Sequence, residues 1–265
     1  MKIFDSFKNL YKYREMICAL AVRDLKSKYI GTLGGIFWIF ATPLATVIIF
    51  YFVFAVGFKA TGPREVPFII WFVCGLVPWL FFNGSLIAIT NSIVGNMPLV
   101  KKTIFPTEIL AFTYLLSESF IHLIFFLILC VMLFMFQIKF EISRFLFVYY
   151  FVCMVALLLG LGWVLSALQI FYRDIAQGLG IFLNLLFWAT PIVWSADILP
   201  LEYARWVTYN PISYIVEGYR DALVFSQVRL PDLYPTIYYW VFTLTFLFVG
   251  NYLFRKLKTE FADVS

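Results

Sequence analysis

Two side chains in this sequence have types and spacing that could do chemistry together. Glu118 and His122 lie four residues apart within the otherwise apolar stretch 110–136. On a helix that spacing puts both on one face. An ionisable pair inside a membrane reads as a proton relay or a sugar-binding dyad. The alternative is a mutually hydrogen-bonded pair that knits helices together, with Gln169 or Asn184 nearby. Other chemistries lack their residues. No G-x-x-x-x-G-K-S/T run occurs, so the chain does not hydrolyse nucleotide through a P-loop. His122 is the single histidine, which excludes His-rich metal sites and H-E-x-x-H chemistry. There is no G-x-S-x-G. Cys18, Cys74, Cys130 and Cys153 are widely spaced without a C-x-x-C, and read as small buried hydrophobes. No catalytic, cofactor or metal site is expected in this chain.

The elements that must carry these groups follow from composition. Of 265 residues, 63% are hydrophobic and 13% charged, with 32 Phe, 16 Tyr and 8 Trp. Soluble domains run about 45–50% apolar and about 25% charged. The mean hydropathy is +0.91. A soluble enzyme, a nucleic-acid-binding domain and a disordered linker are all disfavoured, and the fold class expected is an all-α polytopic membrane protein. The first thirty residues are polar and basic, without the compact apolar core of a cleavable signal peptide.

A span needs about 20 mainly apolar residues. Six stretches qualify: 34–58, 67–90, 110–136, 145–171, 177–195 and 233–253. The fifth carries Pro191 near its end, which a buried helix tolerates where neighbours satisfy the freed carbonyl. An even number puts both ends of the chain on one side. That side holds thirteen of the 20 Lys and Arg, among them Lys2, Lys8, Lys12, Arg14, Arg23, Lys26, Lys28, Lys101 and Lys102. The positive-inside rule makes it the cytoplasm.

Three segments outside the spans are informative. In residues 4–28, Phe4, Phe7, Leu10, Tyr11, Ile17, Ala21 and Leu25 fall near one helical face, which predicts an interfacial amphipathic helix within 1–33, or a simple basic anchor. The cytoplasmic loop 91–109 is longer than a tight connection requires. Its Met97, Leu99 and Phe105 beside Lys101 and Lys102 suit docking of a soluble partner, although basic loops also hold orientation. The external interval 196–232 contains Asn210-Pro211, an N-cap followed by Pro at the first helical position. Ile212, Ile215, Val216, Tyr219 and Leu223 continue as an apolar stripe, with Glu217, Arg220 and Asp221 opposite. Such a helix lies on the outer surface or dips back into the membrane.

Trp71, Tyr149, Tyr150, Tyr238, Tyr239 and Trp240 sit at span ends and read as interfacial anchors. Trp38, Tyr51, Trp79, Phe82 and Trp188 sit deeper. They either pack against lipid or line a pore in which aromatic faces stack on sugar rings. Gly31-x-x-x-Gly35 and Gly162-x-x-x-Ser166 permit close helix contact.

Several runs together are similar to a known family. They are Arg23-Asp-Leu-Lys-Ser-Lys-Tyr-Ile-Gly-Thr-Leu-Gly-Gly-Ile-Phe-Trp38, Ala41-Thr-Pro-Leu44, Lys101-Lys102-Thr-Ile-Phe-Pro106, Phe171-Tyr-Arg-Asp174, Thr190-Pro191 and Tyr209-Asn-Pro-Ile212. In this order they resemble the permeases of type-2 ABC transporters for polysaccharide export, over essentially the whole chain. Lys28 stands where Arg is at least as frequent, which keeps the charge. The resemblance implies a homodimer of six-span permeases in the bacterial inner membrane, paired with two copies of a separate ATPase that binds ATP and Mg. It implies a coupling helix within 91–106 that uses Met97, Leu99, Lys101, Lys102 and Phe105. It implies re-entrant gate helices in 196–225 with Tyr209, Tyr214, Glu217, Tyr219 and Arg220, and a channel from the first, second and fifth spans. The cargo implied is lipid-linked O-antigen polysaccharide, with teichoic acid or capsule as alternatives. A proton-driven flippase using Glu118 and His122 is the rival from another class, and a membrane-embedded glycan-modifying enzyme is a third that lacks catalytic clusters.

Overall fold

The computed structural model describes residues 11–29, 34–35, 37–63, 66–102, 105–138, 141–225 and 232–261. The regular structure among them is helical. Five stretches of the described residues are long and apolar enough to cross a bilayer. They are α2 (Phe37–Phe50) with the π-helical turns Tyr51–Gly57 that prolong it, α3 (Phe68–Thr90), α6 (Ile109–Met135), α7 (Leu146–Gln169) and α11 (Leu233–Leu257). The protein is a polytopic, all-helical membrane protein. Shorter helices complete it: α1 (Arg14–Tyr29), α4 (Ser92–Gly95), α5 (Met97–Val100), α8 (Asp174–Ala189), α9 (Leu201–Thr208) and α10 (Pro211–Leu223).

The centre is α3, apolar all round and packed against α6, α7, α8 and α10. A helix without a polar face can only be stable when surrounded. The α7–α11 pair is the most extensive contact, and glycine explains it. A Cβ on Gly250 would stand 2.4 Å from the Gly160 carbonyl oxygen, and one on Gly160 would stand 2.7 Å from the Leu247 nitrogen. The two backbones therefore touch directly. Gly162, one of the small residues picked out by spacing, lets Ile89 of α3 approach in the same way, its Cβ position lying 2.5 Å from Ile89 Cγ2.

The first helix differs from expectation. Residues 4–10 of the expected interfacial helix lie outside the described residues. Ile17 and Ala21 are buried as the periodicity required, but Tyr11 is 75% exposed. The inward stripe continues through Asp24 and Lys28 and faces α6. This stripe is covered by protein as well as by apolar contact, because Ser117 and Glu118 of α6 supply polar partners.

The fifth predicted span, 177–195, is cut short. α8 has 16 residues, roughly 24 Å at 1.5 Å per residue, against about 30 Å of hydrocarbon. Pro191 does not sit inside the helix. Its ring pushes the preceding residue out of the helical region, and Thr190 adopts φ −96°, ψ 137°. The chain then turns through Thr190–Trp194 into a short 3-10 turn at Ala196–Ile198, α9 and α10. The expected cap is present: Asn210 Oδ1 accepts from Ile212 N at 3.0 Å, with Pro211 in the first helical position.

Several residues assigned to the interface are interior. Trp71, Tyr150 and Tyr239 are buried, and Tyr239 donates to the Cys153 carbonyl at 2.7 Å. Tyr149, Tyr214, Thr236 and Trp240 form a half-buried hydrogen-bond chain that joins α7, α10 and α11, each link 3.0 Å. A Tyr or Trp at a span end carries one polar atom, and here a neighbouring helix satisfies it in place of water.

Candidate functional site

Glu118 and His122 share a helix face, as their spacing required, yet each has its own partner. Glu118 Oε1 accepts from Lys28 Nζ at 2.7 Å, and the same ammonium meets Asp24 Oδ2 at 2.7 Å. Ser117 Oγ also donates to Asp24 Oδ2. Burial pulls the Lys28 pKa down, but Glu118 and Asp24 outweigh it and hold the ammonium above its ordinary value. His122 instead lies against the rings of Phe81 and Phe151, at centroid distances of 5.0 and 5.2 Å, and its Nε2 is 3.3 Å from the Tyr219 hydroxyl. The expected mutual pair is not formed. Gln169 serves elsewhere, its Oε1 accepting from Ala176 N in the first turn of α8.

The Lys28 cluster continues to the loop 91–102. Arg23 Nη2 donates to Asn96 Oδ1 at 2.7 Å, and Asn96 Nδ2 donates to the Tyr114 hydroxyl at 2.9 Å and to the Ser92 carbonyl at 2.8 Å. Asn96 immediately precedes α5. Helix α1 is therefore bonded both to the third apolar helix and to the loop expected to dock a partner. Spacing gave no sign of this, because the basic residues of α1 read equally well as topology signals. In the loop, Lys101 and Lys102 are exposed, Met97 and Leu99 are half-buried, and Phe105 is half-buried against the core. The far end of the chain joins the same face through Lys258 Nζ and Glu108 Oε1 at 2.9 Å.

The segment that follows α8 is organised by Arg220. Sequence pattern placed it on the polar face of α10, but its side chain is wholly buried. Its Nε donates to the Trp71 carbonyl at 3.2 Å, Nη2 to the Ile192 carbonyl at 2.8 Å, and Nη1 to the Pro191 carbonyl and to Glu217 Oε1, both at 2.6 Å. The guanidinium also lies 3.6 Å from the Trp71 ring centroid. Pro191 breaks α8 and leaves carbonyls that must be satisfied away from water. A planar fork of donors does this where a point charge would not. Gly75 makes room, since a Cβ there would stand 2.6 Å from Arg220 Nη2. Asn210 adds a second tie, donating to Thr190 Oγ1 at 2.9 Å. Tyr219 is buried beside His122, while Tyr209, Tyr214 and Glu217 keep partial or full exposure.

The five deep aromatics divide. Trp79 and Phe82 are buried within the chain, Trp79 packing on Phe187 at 5.5 Å and on Phe82 at 6.1 Å. Trp38, Tyr51 and Trp188 are 56%, 45% and 53% exposed. Phe50 joins the helices that carry them, with ring contacts to Phe72, Phe187 and Trp188 at 5.2, 6.1 and 6.1 Å. α2, α3 and α8 thus adjoin, and the outward faces of α2 and α8 are uncovered apolar surface, with Ile48, Ile49, Phe52, Ile181 and Leu185 exposed.

Residues 15–224 match the ABC-2 type transporter family, and the chain belongs to that family. It is a membrane permease without an ATPase domain; ATP hydrolysis falls to a partner subunit with which it pairs. Among curated proteins it is 27% identical over 257 residues to the O-antigen export system permease protein RfbA of Klebsiella pneumoniae, covering 97% of both chains. It is 26% identical to the protein of that name from Myxococcus xanthus, again over 97% of both. It is also 24% identical to the polysialic acid transport protein KpsM of Escherichia coli, over 89% of this chain and 91% of that one.

Proposed function

We propose that this chain is the channel-forming permease of an ATP-driven exporter that moves a lipid-linked polysaccharide of the O-antigen class from cytoplasm to periplasm across the bacterial inner membrane. The observation that carries this reading is likeness along nearly the full length to O-antigen export permeases. Capsule export is the second reading, favoured by the likeness to the polysialic acid transport protein; teichoic acid export rests on the resemblance alone.

Two copies of the chain and two ATPase subunits form the unit. α8 with the segment after it makes a sixth crossing, which puts both ends of the chain in the cytoplasm. The uncovered faces of α2 and α8 line the passage or meet the second copy. Trp38, Tyr51 and Trp188 offer ring faces to sugars, with Trp79 and Phe82 packed behind them. α4 and α5, with Met97, Leu99, Lys101, Lys102 and Phe105, receive the movement of the ATPase. ATP must favour one arrangement of the pair over another, since a ligand indifferent to conformation shifts nothing. Tyr209, Tyr214, Glu217, Tyr219 and Arg220 hold the external gate. The arrangement disfavours a proton relay, because Glu118 is paired with Lys28 and separated in its contacts from His122.

The test is reconstitution with the partner ATPase in vesicles loaded with lipid-linked O-antigen. Export is expected only with ATP. Equal export from vesicles that hold the permease alone would refute the reading.

A further inference from the structure

We propose that the external end of each chain holds a binding site for a glycerophospholipid, with one acyl chain in a cavity between α6, α7 and α10 and the phosphate on Arg144. The cavity is about 940 Å³ and is walled by Phe126, Cys130, Leu133, Phe145, Phe147 and Leu223. That size suits a whole small ligand, and carbon dominates the lining. Arg144 is the cation of the wall among the described residues. Its side chain is 3% exposed, and its Nη1 donates to the carbonyl of Leu223, the last residue of α10. Its Nε is buried and meets no acceptor among the described residues.

A buried N–H without a partner is unfavourable, and phosphate oxygens fit a guanidinium well. Glu141, three residues earlier, acts on Arg144 through space but is itself exposed and accepts no bond from Nε. The setting selects the class of ligand. The cavity lies where α6 ends, and its rim includes Phe134, Met135 and Phe145, all exposed. An occupant there needs a long apolar part and an anionic head at one level, which a membrane phospholipid has and a soluble anion has not. The leaflet, the outer one, rests on the orientation proposed above; occupancy itself does not. A bound lipid would share Arg144 with the end of α10.

The permease–ATPase complex, stripped of lipid in detergent, is offered dioleoyl phosphatidylglycerol, undecaprenyl phosphate or inorganic phosphate, and retained molecules are counted by native mass spectrometry. One phosphatidylglycerol per permease chain is expected to persist. Arg144→Gln should weaken retention about tenfold, the size of one charge-assisted hydrogen bond. Cys130→Phe, which fills the cavity and leaves Arg144 in place, should weaken it as much, and covers the case in which the arginine variant fails to fold. In a Cys18→Ser background, bound phosphatidylglycerol should also slow maleimide labelling of Cys130. Equal retention by the wild type and the Cys130→Phe variant would overturn the site. Preferential retention of undecaprenyl phosphate, or of inorganic phosphate alone, would overturn the assignment to a glycerophospholipid.

Discussion

Lys28 holds two carboxylates at once, and this sets how the contact between α1 and α6 responds to pH. Its pKa lies above the ordinary 10.5, because Glu118 and Asp24 outweigh the opposing effect of burial. A group raised on folding stabilises while protonated: the contribution is complete below 10.5 and is lost as pH rises through the higher native value. Lys28→Met should therefore lower the melting temperature by the same amount throughout the neutral range, with the gap to wild type closing only in strong alkali. Glu118→Gln should cost about 1.5–3 kcal/mol, the worth of a hydrogen bond to a charged group, and leave export intact. Export abolished at unchanged melting temperature would instead support a relay. Arg220 is the more demanding case. Arg220→Met strands Glu217 and the Pro191 and Ile192 carbonyls, and should cost about 3–5 kcal/mol. Arg220→Lys should recover only part of that, since an ammonium lacks the fork; thermal unfolding of the purified permease measures both. The i,i+4 rule placed Glu118 and His122 on one face, and the i,i+3 rule joined Glu217 to Arg220. Neither rule carries information about a third helix, so the partners Lys28, Tyr219 and Trp71 were not legible.

Among the elements, α7 and α11 depend on two glycines and α8 on a proline. Leucine at 250 would drive its Cβ into the Gly160 carbonyl, a backbone atom that cannot swing aside. Gly250→Leu should destabilise by about 3 kcal/mol, the upper part of the usual overpacking range. Gly178→Ala on α8 is the control: a Cβ there meets nothing within 4 Å, and the exchange should be neutral or add up to about 1 kcal/mol of helix propensity. Melting temperatures in detergent compare the two. Five apolar helices matched their expected positions because twenty-odd apolar residues leave few alternatives. Asn210-Pro211 began a helix where expected because a cap is a local interaction. The end of α8 was local as well, and the steric rule for the residue before proline outweighed the apolar composition of 190–195. Gly160 and Gly250 carried no signal, being ninety residues apart.

For the whole molecule, the proposed motor acts on the face that carries the loop 91–102. α1, the loop 91–102 and the third apolar helix are tied together through Arg23–Asn96 and Lys28–Glu118, so a push on α5 reaches α6 and α1 together. Replacing the exposed Lys101 and Lys102 by alanine should reduce co-purification of the ATPase at least tenfold and abolish export, while the permease alone keeps its melting temperature. Co-purification and export at wild-type levels would remove the coupling role from this loop.

Composition alone decided that the chain lives in a membrane, since the apolar excess has no other place to go. The distribution of Lys and Arg supports an orientation for the same reason, the cost of moving charge through hydrocarbon. The ordered motifs pointed to the family, which the match over residues 15–224 bears out. The sequence could not say which aromatics face outward: Trp38 and Trp79 read alike, yet only α3 is enclosed by its neighbours. Nor could it show that Arg220 is interior. Burial in a bundle depends on which helices become neighbours, and that is settled by contacts between residues far apart in the chain, whereas spans, caps and proline breaks follow from residues a few positions away.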